Sequence, residues 1–168
     1  MADPHIKSPM DIWDYITVSL YRCGFILAAL GTAFLPYRPL PAQTGLLIGA
    51  LLCASCLHIY LKNFRFPLQF ATWGALICHL LGFSELALGG ALVTLGGLCY
   101  KEYFCFRLFG LNLQPLLVAL LWLSFILDKA LPLQILSALS ALLFLLLALM
   151  KWRMPLHFDI GDKGKYQV

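Results

Sequence analysis

The segment Cys53-Ala-Ser-Cys56-Leu-His58 is the part of this sequence best supplied with reactive groups. Two thiols and an imidazole at helical spacing are soft ligands, suited to copper(I), to zinc or to a dithiol redox pair. Cys23 and the Cys78-His79 pair offer further ligands on other segments. A lone C-x-x-C nevertheless lacks the second pair that makes a zinc spacing persuasive. Gly45, Gly49, Cys53, Cys56 and Tyr60 also recur at intervals of three and four, as one small-residue face of a helix. Such faces let membrane-embedded backbones approach closely, so packing is the favoured reading. Cys53, Cys56 and His58 are kept as the metal or redox candidate. No cofactor is required by the sequence.

The ionisable groups suggest a different chemistry. Charges inside a membrane are costly and often functional. On that ground Glu85 is the candidate proton site, and His79 is its relay partner about 9 Å away along a helix axis. Arg22 is the candidate partner of a lipid phosphate or of Glu102. The structural alternative is that Arg22 snorkels and Glu85 sits in an outer turn. In GLCYKEYFCFR, Lys101, Glu102, Tyr103 and Arg107 stand close together among aromatic residues. That composition suits the headgroup level of a membrane, and it reads as an inner-face rim. No P-loop, Gly-x-Ser-x-Gly elbow or His-Glu-x-x-His pair is present, so the common soluble enzyme chemistries have no support and a non-enzymatic role is favoured. The net charge of +4 is not gathered in a basic stripe, which argues against nucleic acid as a partner.

These groups need elements to position them, and the composition says in which solvent. Of the 168 residues 61% are hydrophobic and 12% charged, whereas a soluble domain is about half apolar and about a quarter charged. A chain of this length cannot hide so much apolar surface in one core, so the expected surroundings are lipid. Ser8-Pro9-Met10-Asp11 reads as a helix start with Ser8 as cap. The first apolar segment then runs to Phe34, ahead of the proline-rich turn PYRPLP. It carries more aspartate than lysine at its start and no small-residue cleavage pattern, so it is expected to be retained. Further spans are read at 44–61, 68–83, 86–100, 108–127 and 130–150, the third and fourth being short enough for a tight hairpin that crosses or dips and returns. Asn112, Gln114 and Pro115 open the fifth, and Ser137, Ala138 and Ala141 give the sixth a small face.

With six segments, ten of the twelve Lys and Arg residues fall on one side, leaving Arg38 and Lys129 on the other. The positive-inside rule then puts both termini in the cytoplasm. The expected organisation is an all-α, polytopic helical membrane protein: an interfacial segment over 1–15, a transmembrane domain over 16–150 and a cytoplasmic, polar tail over 151–168.

KEYFCFR after a glycine-rich helix, with DIGDKGKYQ near the carboxyl end after six apolar spans, resembles a family of small multi-pass integral membrane proteins of unknown function, found mainly in cyanobacteria and other prokaryotes. The resemblance implies six spans and a prokaryotic inner membrane or thylakoid, and no catalytic residue. The expected partners are the lipid bilayer and other membrane subunits. A structural, assembly or accessory subunit is the leading function, followed by a small-solute or proton transporter and then a membrane thiol or metal protein.

Overall fold

The computed structural model describes residues 9–57, 59 and 62–165. The regular elements among them are helical: α1 (Ile12–Phe34), α2 (Pro39–Ser55), α3 (Lys62–Leu80), α4 (Ser84–Phe106), α5 (Gln114–Ile126), α6 (Ala130–Arg153) and the short α7 (His157–Ile160). Short connections fold each long helix back along its predecessor. α1 packs on α2 and α6, α4 packs on α2, α3 and α5, and α5 closes against α6. By length and composition α1 and α6 can each cross a membrane, while α2 and the 111–126 stretch are apolar but shorter. Many large apolar side chains point outward, among them Phe70, Leu80, Leu131 and Leu142, as expected where the outer solvent is hydrocarbon.

The start of α1 differs from the expected one. Asp11, not Ser8, is the cap: its Oδ1 accepts the Asp14 N–H at 2.8 Å, and Asp14 Oδ2 accepts the Asp11 N–H at 2.9 Å. This reciprocal box satisfies two donors that a lone serine would leave half served. Ser8 lies outside the described residues, and Pro9 precedes the helix.

α1 and α2 cross at glycines. A Cβ on Gly24 would meet the Gly49 carbonyl at 2.8 Å, and one on Gly49 would meet the Gly24 carbonyl at 2.9 Å. Two backbones this close gain dispersion and carbonyl contacts that hydrocarbon cannot supply. Cys53 sits in the same seam, its thiol donating to the Tyr21 carbonyl at 3.5 Å. The expected small-residue face extends no further: Gly45 faces open space, and α2 stops at Ser55, which leaves Cys56 in the following turn.

α3 and α4 are longer than the 68–83 and 86–100 spans read from hydropathy, because both continue helically into the polar connections. KEYFCF is therefore the last turns of α4, and the chain leaves the helix at Arg107 in the left-handed region, φ 49°. The fifth segment differs in the opposite sense. Residues 107–110 are not helical, Gly110 turns the chain at φ 83°, Leu111–Leu113 make one 3-10 turn, and α5 begins only at Gln114. Pro115 suits that start, since its missing N–H would have no helical partner there.

Candidate functional site

The alternation of helix directions brings the first half of α1 and the carboxyl ends of α4 and α6 to the same end of the bundle. Each carries charge there. Arg22 lies midway along α1, Lys101 and Glu102 lie in the last turns of α4, and Lys151 lies in the last turn of α6. The chain then turns back over this end, and α7 lowers Asp159 between them. Arg22, Lys151 and Glu102 are each only 1% exposed.

Arg22 donates through Nε to Asp159 Oδ2 at 2.7 Å, and Nη2 lies 2.6 Å from the same oxygen. Its remaining donors reach the carbonyls of Met154, at 2.8 Å, and Pro155, at 3.0 Å. These two carbonyls follow the end of α6, where no helical donor remains for them. Asp159 Oδ1 accepts from Lys151, whose ammonium also lies 3.0 Å from Glu102 Oε2. Glu102 Oε1 accepts from the Tyr21 hydroxyl at 2.7 Å and from Lys101 at 3.0 Å. The Tyr21 ring is in turn covered by Lys151, 4.9 Å from its centroid, a cation–π contact that adds to the ion pairs.

Two carboxylates thus face three cations, and the third, Lys101, is the one that keeps contact with solvent. Burying charges is costly, and only close pairing, here with all four carboxylate oxygens of Asp159 and Glu102 engaged, offsets the desolvation. Closer to the amino end, Lys163 pairs with Asp14 on α1. The hydrogen bond to Asp14 holds the exposed Lys163 ammonium above its ordinary value.

Several expectations change. Arg22 does not snorkel and does not pair with Glu102, because Asp159 is delivered to it by the tail and Glu102 is taken by Lys151 and Tyr21. The tail is folded against the bundle through Asp159, Ile160 and Lys163. In the inner-face rim, Glu102 is interior, Tyr103 is half-buried against the core, and Arg107 is exposed.

Glu85 is exposed in the first turn of α4 and His79 is half-buried near the end of α3; among the described residues no hydrogen bond or ion pair joins them. The backbone carbonyl of Glu85 instead accepts the Trp122 indole N–H at 2.8 Å, tying α4 to α5. Cys53 and Cys56 are buried, and His58 lies outside the described residues, so the C-x-x-C-x-H constellation is not tested as a set. Sequence reading missed Tyr21, Lys151 and Asp159. The available signal was Glu102 itself, an acid among aromatic residues near the membrane boundary that needed counter-charges from other segments.

The fold and the ion network define an all-helical protein with an apolar exterior and charged groups drawn inward at one end. Residues 81–168 match the family described as "Uncharacterized integral membrane protein (DUF2301)". A protein of Haemophilus influenzae, described as "Uncharacterized protein", is 59% identical over 168 residues, covering 100% of each chain. The chain belongs to this integral membrane protein family. Neither match carries the cyanobacterial emphasis of the sequence resemblance. No solved structure matches the chain.

Proposed function

We propose that this chain is a six-span accessory subunit of a bacterial inner-membrane complex, with both termini cytoplasmic and no catalysis of its own. Helix length supports crossings by α1, α3, α4 and α6, with α3 about 28 Å and α4 about 34 Å long against about 30 Å of hydrocarbon, while α2 at about 26 Å and α5 at about 20 Å are shorter than the full thickness. The bias of ten cations against two supports the orientation. The Haemophilus influenzae relative favours a bacterial inner membrane over a thylakoid.

The observation that carries the role is a groove of about 640 Å³ on the outside of the bundle, where α3 and α5 part over α4. Val93 projects into it from α4 between Gly89 and Gly97, over which Trp122 and Leu68 already close, and Pro115 and Trp122 stand on its α5 side. Apolar burial alone does not drive helices together in lipid, but a groove of this size lets the side chains of a second helix pack against Leu86, Val93 and Ala119. Its proposed occupant is a transmembrane helix of another subunit.

Affinity purification from membranes in mild detergent, with mass spectrometry of the eluate, tests this. The wild type should carry a stoichiometric membrane protein, and Val93→Trp should lose it while keeping its own fold. Val93 is 60% exposed, so the larger ring fills the groove without entering the interior. A monodisperse chain without such a companion refutes the role.

A solute or proton transporter is the second reading, favoured by the start of α5 deep inside the bundle. Proteoliposome flux that survives Glu85→Gln would remove Glu85 as its proton group. The thiol or metal reading of Cys53, Cys56 and His58 ranks third, and elemental analysis for copper, zinc and iron decides it.

A further inference from the structure

The fifth segment carries a second polar centre, remote from the ion network. α6 spans 24 residues and Ser140 lies near its middle. There it meets Gln114, the first residue of α5, whose Nε2 donates to the Ser140 carbonyl at 3.1 Å. Gln114 and Ser140 are fully buried, and Ser137, one turn along α6 toward Ala130, is 1% exposed. Three atoms here have no hydrogen-bond partner among the described residues: Gln114 Oε1, Ser140 Oγ and Ser137 Oγ.

The two serines had an alternative and do not use it. A helical hydroxyl can bond the carbonyl four residues back. Thr32, Thr72, Thr94 and Ser124 all do so, at 2.7 to 3.2 Å. The hydroxyls of Ser137 and Ser140 are turned away from that bond. An orphaned buried polar atom is costly, and three orphans on Gln114 and on one stripe of α6, where the two helices are already joined, point to something that satisfies them.

We propose that the amino end of α5 and the middle of α6 enclose a binding site for a small neutral hydrogen-bonding molecule, water being the simplest occupant. Such a molecule donates to Gln114 Oε1 and exchanges hydrogen bonds with Ser140 Oγ, and Ser137 Oγ extends the site by one turn. Buried water typically makes about three hydrogen bonds, the number of groups on offer. A cation fits less well, because all three oxygens are neutral and the amino end of α5 carries partial positive charge. The site does not depend on the subunit role, since it lies in the interior, away from the groove floor.

Radiolytic hydroxyl-radical labelling of the protein in nanodiscs tests the site, because radicals made from a trapped water oxidise buried neighbours that bulk solvent cannot reach. Leu111 and Phe144, one turn from Gln114 and Ser140, are 0% exposed; Leu46 and Phe25 are equally buried elsewhere. The expected result is several-fold stronger oxidation of Leu111 than of Leu46 and of Phe144 than of Phe25, reduced in Ser140→Ala. Equal, background oxidation of all four overturns the proposal. So does a melting temperature raised by sodium or potassium chloride over choline chloride at equal ionic strength, which would assign the site to a cation. If Ser140→Ala fails to fold, the wild-type comparison still decides.

Discussion

Asp159 is the counterion that the interior of this protein cannot do without. It contacts both Arg22 and Lys151, and removing its charge leaves two buried cations with Glu102 as the remaining carboxylate. Breaking a buried pair from one side costs about 3–5 kcal/mol. Asp159→Asn should therefore lower the unfolding midpoint in detergent sharply, whereas Asp128→Asn, exposed in the turn before α6, should change it little. The sequence marked Arg22 and Glu102 as the charges worth following, but it could not assign their partners. Asp159 lies in a polar, glycine-bearing stretch that resembles any solvated tail, and it is joined to Arg22 across 137 residues of chain. Pairing at that separation is a property of the folded bundle, and no local spacing encodes it.

Among the elements, the α1–α2 crossing is the least tolerant of added volume. Gly24→Ala places a methyl against the Gly49 carbonyl and should cost about 1–3 kcal/mol by overpacking. Gly45→Ala, on α2, meets nothing within 4 Å and should be neutral or mildly stabilising in the same thermal assay. The tail contact is weaker and depends on pH. Because Asp14 raises the Lys163 value, the pair is fully present below the ordinary lysine range and is lost as pH climbs through the raised value. Protection factors over 161–165, which remove the intrinsic base-catalysed rise in rate, should fall there in the wild type, and in Lys163→Ala they should be low already at neutral pH. Helix existence was legible throughout, since apolar runs of this length have few other outcomes. The break before α5 was not. Leu108, Phe109, Leu111 and Leu113 keep hydropathy high across residues that are not α-helical, and only Asn112, Gln114 and Pro115 hinted at a later start.

At the scale of the whole molecule, the topology is open to a direct check. Green fluorescent protein fused after residue 168 should fluoresce, and alkaline phosphatase fused after Arg38 or after Asp128 should be active in the periplasm. An active phosphatase fused at Arg107 would overturn the orientation. The charge asymmetry behind this proposed arrangement is written residue by residue, while the ends of the helices depend on packing. The separation between Arg22 and Asp159 has a consequence for biogenesis. During translation α1 is made long before the acid that will neutralise it, so the nascent bundle carries an unmatched guanidinium while five more helices are added. On the proposed topology, that early helix is expected to wait with Arg22 at the water boundary, with its final seating in the bilayer a late step that follows the arrival of the tail.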